Sequence, residues 1–256
     1  MELYNHILQL RETRQRGVLV TVIETRGSTP RKAGAKMVVV EDGSTKGSIG
    51  GGRVEHEVIQ MAQDALKKEE PRIQQYQLTS ELAMCCGGQM TFFMEPIVPH
   101  PPLMIFGCGH VGAAIMQAAS SLQFELVAID DLDENLDPKR LPTAQKRFSS
   151  YEPADLEQLP FGPDAFIVIA TREHSLDQKI LELCLRREFK YLGVIGSQRK
   201  AAMQIERLKA KDFSQELIER IHCPIGYSIG AVTPGEIAVS VCAELIAVHR
   251  ESTSAE

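Results

Sequence analysis

Three regularly spaced glycines mark the stretch whose residue types most clearly indicate chemistry. Gly107, Gly109 and Gly112 stand in the pattern G-x-G-x-x-G, between the apolar runs Leu103–Phe106 and Leu126–Ile129. A glycine turn between a strand and a helix leaves backbone N–H groups free at the helix N-terminus, where they and the helix dipole attract a phosphate. The spacing therefore predicts a turn that receives the pyrophosphate of a dinucleotide.

Two acids, Asp130 and Asp131, follow the second apolar run. Asp130 lies 18 residues after Gly112, close to the roughly 20 typical of the acid that accepts hydrogen bonds from a ribose. A carboxylate at this place repels a 2′-phosphate, so NAD is favoured over NADP. His110, inside the turn, is a further candidate contact, although a lone histidine is more often a hydrogen-bonded structural residue. A Rossmann-like fold can also keep such a turn without binding a nucleotide, because fold does not fix function.

Polar residues also follow the next two predicted strands, Pro163–Ala170 and Tyr191–Ile195. Ligands of open α/β sheets bind beyond the carboxyl ends of the strands, so these residues are predicted nucleotide contacts. They are Thr171, Arg172 and His174 after the first strand, and Gly196, Ser197 and Lys200 after the second. Together with Arg199, the second group forms a plausible anion site, and the alternative is an ordinary turn with solvated cations.

A second glycine-rich loop stands in the first half of the chain. Gly47–Gly52 holds four glycines in six residues and leads into a helical pattern that begins at Arg53. A glycine-rich loop before a helix predicts an anion cradle, and this one is no P-loop because no G-K-[ST] follows. Glu55 stands in the first helical turn, where the dipole favours a carboxylate. The alternative is that the glycines only permit a tight turn and Glu55 is only a cap-region acid.

Two adjacent cysteines, Cys85 and Cys86, precede paired glycines. Backbone amides that glycine leaves accessible lower the pKa of a thiol, which predicts a nucleophilic thiolate or a soft ligand. The alternative is a pair of small hydrophobic residues at a strand edge. The chain has six cysteines without framework spacing, which predicts reduced thiols in a cytoplasm. No second Cys or His pair stands at the spacing of a structural zinc site.

Composition and the proline distribution predict the domain organisation. Pro96–Pro102 has four prolines in seven residues and is predicted to be an extended linker, which gives domains at 1–98 and 99–256. The predicted fold class is α/β, with an N-terminal α+β domain followed by a Rossmann-like parallel-sheet domain.

A net charge of −6 disfavours a nucleic-acid partner. No apolar run approaches the roughly 18 residues of a membrane helix, so no membrane association is predicted.

Taken together, these motifs resemble the xanthine dehydrogenase accessory factor family, the XdhC/CoxI group. The matching pieces span nearly the whole chain in the order found in the family. In the first half they are Gly27–Pro30, Gly34–Met37, Gly47–Gly52 with Glu55, and Cys86–Gly88. In the second half they are Ile105–Gly112, Asp130–Asp131, Thr171–His174 with Asp177, Tyr191–Ser197 with Lys200, and the motifs between Pro224 and Ala238.

The resemblance implies a maturation factor rather than a hydroxylase. Such a factor binds molybdenum cofactor (molybdopterin), shields it, assists its sulfuration and delivers it to a xanthine dehydrogenase-type enzyme. A homodimer and a cysteine desulfurase partner are expected with it. Molybdopterin is the expected cofactor, and NAD(P) is a second candidate. The candidate residues for molybdenum cofactor are Gly50, Gly51, Gly52, Arg53, Glu55, Cys85 and Cys86.

One position departs from the family pattern, which often places a cysteine where this chain has Arg53. If that cysteine supplies a sulfur ligand in relatives, the role is lost here or falls to Cys85 or Cys86, and Cys86 is the expected contact to molybdenum or its sulfur. Arg53 could instead pair with the phosphate of the cofactor. Two other functions stay open: a nicotinamide-dependent oxidoreductase, although no Ser…Tyr-x-x-x-Lys arrangement is present, and a regulator that senses a nucleotide without chemistry.

Overall fold

The structure is a computed structural model that describes residues 2–78 and 88–251. The chain divides into two compact units, Met1–Pro99 and His100–Glu256. Cys85 and Cys86, which are candidates for the cofactor site, lie outside the described residues. Among the helices of the described ranges, none combines the length and the apolar character needed to cross a membrane.

The first unit has an α+β architecture, built on a five-stranded antiparallel sheet in the order β3-β2-β1-β5-β4. Its elements are α1 (Glu2–Glu12), β1 (Gly17–Arg26), β2 (Lys36–Val40), β3 (Thr45–Gly47), α2 (Gly52–Lys68), β4 (Arg72–Gln77) and β5 (Gln89–Ile97). The alternation of β1 explains the layers, since Val18, Val20 and Val22 pack with the apolar face of α2, whereas Leu19 packs with the cluster around Leu10 of α1.

The predicted linker is partly wrong, because Pro96 and Ile97 belong to β5 and Pro102 begins β6. β5 is an interior strand of the sheet, and Pro96 pairs with Val18 of β1. β4 reaches only as far as Met94 on the other side. Pro96 therefore lies beyond the end of one neighbour, where the missing N–H breaks no ladder hydrogen bond.

The second unit is a parallel six-stranded sheet in the order β11-β10-β9-β6-β7-β8. Its strands are β6 (Pro102–Phe106), β7 (Glu125–Ile129), β8 (Lys146–Phe148), β9 (Phe166–Ile169), β10 (Tyr191–Val194) and β11 (Ile221–His222). Its helices are α3 (His110–Ala119), α4 (Pro153–Leu156), α5 (His174–Cys184), α6 (Gln198–Lys209), α7 (Gln215–Glu219) and α8 (Pro234–Glu251), with a short 3-10 helix at Asp133–Leu136. Counted from β6, the strand order is 3-2-1-4-5-6, as in doubly wound nucleotide-binding sheets.

Each face of this sheet carries its own apolar core. Ile115 of α3 and Leu245 of α8 pack on one face, and Ile180 of α5 and Leu208 of α6 pack on the other. The predicted fold class is therefore confirmed: an antiparallel α+β region precedes a Rossmann-like parallel sheet. Cys184, the last residue of α5, is fully buried in the core on this second face.

Candidate functional site

The glycine turn after β6 uses its glycines in two different ways. Gly107 has a φ of 92°, and a Cβ there would lie 2.4 Å from the carbonyl oxygen of Ala170. A Cβ on Gly112 would lie 1.8 Å from the carbonyl oxygen of Gly107. Around Gly109, by contrast, a Cβ would meet no described atom within 4 Å. Packing requires the first and third glycines, while the second faces open space.

That open space is a cavity of about 290 Å³ at the carboxyl ends of β6 and β9. The lining residues are Gly107, Gly109, His110, Val111, Asp130, Leu132, Asn135, Tyr151, Ala170, Thr171, Arg172 and Ile195. The first amides of α3 have no acceptor within the helix, because its hydrogen bonds begin with Ala113 N to Gly109 O at 3.0 Å. The cavity therefore presents a helix N-terminus that can receive an anion.

Asp130 fixes the glycine turn from the neighbouring strand. This carboxylate is 3% exposed and accepts hydrogen bonds from Cys108 N at 2.7 Å, Leu132 N at 2.9 Å and Asn135 Nδ2 at 3.1 Å. A carboxylate has about four lone-pair positions, and three are used within the chain. The residue predicted to bind a ribose therefore mainly holds the turn, with little acceptor capacity left for a ligand.

The neighbouring acid is also paired. Arg172 donates through both terminal nitrogens to Asp131, with Nη2 at 2.9 Å from Oδ2. These hydrogen bonds lower the pKa of Asp131 and raise that of Arg172. Both side chains are partly exposed, and Arg172 lines the cavity. The two predicted site residues thus form one bidentate pair, and Arg172 reaches an external anion only in competition with Asp131.

A buried carboxylate holds the residues after β9. Asp177 is 1% exposed, and its Oδ1 accepts from Thr171 N at 3.0 Å and Thr171 Oγ1 at 2.6 Å. Its Oδ2 lies 3.4 Å from His174 Nδ1. His174 itself is largely exposed. Asp177 therefore orients both predicted residues, Thr171 toward the first cavity and His174 toward a second one.

The cysteine inside the turn is not a reactive group. Cys108 is fully buried, and desolvation together with the charge of Asp130 raises the pKa of its thiol to about 12. Its Sγ contacts the carbonyl oxygens of Ile105 and Ile129 at 3.6 and 3.8 Å. A thiol held in this state is protonated near neutral pH and acts as a small core residue.

The second cavity, of about 460 Å³, lies beside the N-terminus of α6 and shares Ile195 with the first. Two of the predicted residues after β10, Ser197 and Lys200, line it. Ser197 Oγ caps the helix by accepting from Lys200 N at 3.4 Å. Gly196 precedes this cap, and a Cβ there would make only ordinary contacts.

In the first unit, the amides of the second glycine-rich loop already have an acceptor. Ile49 N, Gly50 N and Gly51 N donate to Oε1 of Glu55 at 3.0, 3.2 and 2.8 Å, and Ser48 Oγ donates to the same oxygen at 2.6 Å. Burial opposes the charge of Glu55, but these hydrogen bonds outweigh it and lower the pKa. The carboxylate thus takes the position that the sequence prediction gave to a phosphate.

The motifs of the first unit meet around this loop. Gly50, Gly51 and Gly52 all have positive φ values, and a Cβ on Gly50 would lie 2.6 Å from Pro30 Cγ. A Cβ on Gly88 would lie 2.1 Å from the carbonyl oxygen of Ser28. The segment 27–30 therefore lies against both the loop and Gly88, which stands two residues after Cys86 in the sequence.

Arg53 forms an ion pair within its own helix. Its Nε donates to Glu57 Oε1 at 3.1 Å, one turn further along α2. The pair is exposed, so the guanidinium can leave it at small cost.

Sequence reasoning missed a buried polar cluster around Glu244 of α8. Its Oε2 accepts from Tyr191 Oη at 2.6 Å and Gly226 N at 2.7 Å, and its Oε1 lies 2.8 Å from His222 Nδ1. Burial opposes the charge, but these hydrogen bonds lower the pKa of Glu244. The cluster holds the irregular segment after β11. No local signal reveals it, because its members come from separate elements. The cavity residues Asn135 and Tyr151 were missed for the same reason.

The described ranges 2–78 and 88–251 contain no cluster of side chains that could bind a metal ion. No group of three or more His, Cys, Asp or Glu side chains is placed there to hold a metal ion.

An α+β unit followed by a doubly wound sheet with an open glycine turn defines a two-domain protein of the Rossmann class. Residues 103–245 match the family model described as the XdhC Rossmann domain, and residues 10–77 match the model described as the XdhC and CoxI family. The chain belongs to the XdhC family, and the resemblance noted from its motifs is confirmed.

Named relatives extend this comparison. The chain is 36% identical over 258 residues to the Escherichia coli (strain K12) protein YqeB, covering 98% of this chain and 47% of that protein. It is 28% identical over 158 residues to a Bacillus subtilis (strain 168) protein whose name describes a probable subunit of xanthine dehydrogenase, covering 62% and 46%. It is 27% identical over 272 residues to the molybdenum cofactor insertion chaperone PaoD of Escherichia coli (strain K12), covering 93% and 85%.

The chain spans about half the length of the first two of these relatives. Among solved structures, a Bacillus halodurans protein described as a xanthine dehydrogenase matches with a TM-score of 0.55 at 24% identity, over 98% of this chain and 97% of that one. This likeness shows a shared fold.

Proposed function

We propose that the protein binds molybdenum cofactor, supports its sulfuration and delivers it to a xanthine dehydrogenase-type hydroxylase. Membership of the XdhC family supports this proposal, as do the names of two relatives, a molybdenum cofactor insertion chaperone and a probable subunit of xanthine dehydrogenase. A cytoplasmic homodimer that receives sulfur from a cysteine desulfurase belongs to the same proposal.

One observation supports a binding place for the phosphate of this cargo: the open turn at Gly109. Its cavity faces the unpaired amides of α3, whereas the amides at Gly50 and Gly51 already donate to Glu55. An anion is stabilised by such amides and by the helix dipole. The phosphate therefore fits the turn in the second unit better than the loop in the first. Separately from this placement of the phosphate, Cys86 stays the proposed contact to molybdenum or its sulfur, since a soft thiolate suits a soft metal.

The test is cofactor loading of glycine variants. The protein is purified with a molybdenum cofactor source, and bound molybdenum and pterin are measured. Gly109→Val adds bulk at the cavity wall, where a Cβ would meet no described atom within 4 Å. We expect at least about tenfold less bound pterin, as for the loss of one or two charge-assisted hydrogen bonds. The matched control is Gly235→Val, which also points into open space but does not line the cavity.

Each outcome of this test is informative. Wild-type protein without bound pterin would overturn the proposed function. Equal loading of wild type and Gly109→Val would move the phosphate away from the turn. Loss of molybdenum, with pterin retained, in Cys86→Ala would support a thiolate contact, and full loading of that variant would remove it.

A second candidate function uses the same cavity for a nicotinamide nucleotide. The strand order 3-2-1-4-5-6 around the glycine turn favours it, and the hydrogen bonds that occupy Asp130 weigh against a ribose contact. Calorimetric titration with NAD and NADH, followed by turnover assays with carbonyl substrates, separates the alternatives. Turnover without pterin would favour an oxidoreductase, and binding without turnover or cofactor transfer would favour a nucleotide-sensing regulator.

A further inference from the structure

The second cavity is lined by one face of α6. Arg199, Met203 and Arg207 follow each other at four-residue intervals, so they share a side of the helix. Lys200 stands beside them, and His174 of the preceding helix completes the polar wall. No Asp or Glu is among the described residues that line this cavity.

The three cations have no acidic partner in the part of the chain that the structure describes. Arg199, Lys200 and Arg207 form no ion pair with any residue in the described ranges, although other cations nearby, such as Lys209 and Lys211, do. Unpaired like charges on one helix face repel each other and destabilise the helix by a small amount. An anion in the cavity would remove this repulsion and form charge-assisted hydrogen bonds.

A buried amide also faces this cavity. Gln204 is 8% exposed, and its Oε1 accepts from Cys223 Sγ at 3.3 Å. Its Nε2 has no acceptor among the described residues. This nitrogen reaches the solvent of the cavity, so it can donate a hydrogen bond to a ligand oxygen there. It adds a neutral donor to the three cations and favours an acceptor-rich ligand.

We propose that the second cavity binds a pyrophosphate-bearing small molecule, at a site separate from the turn at Gly109. Arg199 and Arg207 are eight residues apart, which is about 12 Å along a helix, and with Lys200 beside Arg199 their long side chains can converge on two linked phosphates. Arginine is well suited to bidentate contact with phosphate oxygens. Met203 and Ile195 supply an apolar wall for the organic part of the ligand.

The experiment is calorimetric titration of the full chain with inorganic pyrophosphate and with ADP. The test variant is Arg199→Gln/Arg207→Gln. The control Lys179→Gln/Lys209→Gln removes two exposed cations that line neither cavity. We expect an affinity loss of about tenfold for each arginine in the test variant, and a loss within about twofold in the control. ADP should bind more tightly than pyrophosphate if the apolar wall contacts the nucleoside.

The result that would overturn the proposal is equal weakening in both double variants, which would indicate unspecific charge attraction. Absence of pyrophosphate and ADP binding in wild type would overturn it as well. Gly109→Val separates the two sites, since it should retain pyrophosphate binding here while losing pterin. If that variant loses both ligands, the second site is not distinct. Circular dichroism confirms that each variant is folded.

Discussion

Replacing Glu55 by alanine should loosen the glycine-rich loop and turn it into an anion site. Four donors converge on one oxygen of this carboxylate, namely Ser48 Oγ and the amides of Ile49, Gly50 and Gly51. Truncation leaves all four without their acceptor at the start of α2. Because three amides then point into one space, a phosphate or sulfate ion can occupy the place that the carboxylate leaves.

The magnitude follows from the number of donors and their exposure. A hydrogen bond to a charged group contributes about 1.5–3 kcal/mol, but the loop is partly exposed, so water replaces much of what the donors lose. We therefore expect the free energy of local opening of the loop to fall by about 2–3 kcal/mol in Glu55→Ala. That corresponds to roughly 30- to 150-fold faster amide exchange at Ile49–Gly51. Glu57→Ala is the matched control, since this acid on the same helix interacts with Arg53 and Tyr76 and accepts no hydrogen bond from Ile49, Gly50 or Gly51, and it should change exchange by less than about threefold.

Hydrogen exchange with mass spectrometry on peptides that cover residues 45–60 measures this effect directly. The pKa of Glu55 is lowered in the folded chain. Its stabilisation is therefore complete above the unfolded value near 4.5 and is lost as the pH falls below it. Protection of the loop should fall below that pH in wild type and stay flat in Glu55→Gln. Added sulfate should restore protection in Glu55→Ala alone. Equal exchange in Glu55→Ala and Glu57→Ala, or protection of wild type by sulfate, would refute the reasoning.

Three further predictions concern the second unit and use urea unfolding followed by circular dichroism. Gly112→Ala should lower the free energy of unfolding by about 3 kcal/mol or more, because its Cβ would lie 1.8 Å from a carbonyl oxygen, whereas Gly109→Ala should lower it by less than about 0.5 kcal/mol. Equal losses in the two variants would contradict the packing argument. Asp131→Asn should cost at most about 1 kcal/mol, since its pair with Arg172 is partly exposed. Glu244→Gln should weaken the pH dependence of stability below about 4.5, because the lowered pKa gives wild type a stabilisation that is complete above that pH and is lost as the pH falls further. An unchanged profile would contradict this.

The sheet of the second unit was predictable because its signals are local. Continuous apolar runs such as Phe166–Ile169 indicate strands buried on both faces. The start of α8 is likewise determined by residues close in sequence. Glu236 N donates to Thr233 Oγ1 at 3.3 Å, and Thr233 N donates to Glu236 Oε2 at 2.9 Å. This reciprocal cap needs no tertiary contact, and its spacing predicts it directly.

The hydrogen-bond partners of each polar group were less predictable, because they depend on neighbours distant in sequence. Asp130 was predicted to serve a ribose, but Cys108 N, 22 residues earlier, takes part of its acceptor capacity. The same limit applies to Glu244, which joins α8 to Tyr191 across 53 residues. A pattern shows that a carboxylate follows a strand, and only the fold shows which donors reach it first.

One difference between the two glycine loops can nevertheless be read from the sequence. The helix after Gly51 has an acid in its first turn and the helix after Gly109 has none. Glu55 stands four residues after Gly51, and Ala113 stands four residues after Gly109. Where the acid is present, it satisfies the amides just before the helix. Where it is absent, Gly107 N and Cys108 N donate to Ile129 O and Asp130, and the first amides of α3 stay available to a ligand.

An acid placed at the corresponding position of α3 should therefore occupy the open turn and exclude a ligand phosphate. In Ala113→Glu, the new carboxylate is expected to fold back toward the open turn and the first amides of α3, much as Glu55 folds back onto the amides of Ile49, Gly50 and Gly51 just before α2. Loading with pterin should fall by at least about tenfold, as expected for a lost charge-assisted anion contact. Ala113→Gln is the matched control, because it has the same size without the charge, and it should retain most of the binding. If the two variants lose pterin equally, bulk at this position explains the effect, and the competition between carboxylate and phosphate for the same amides must be abandoned.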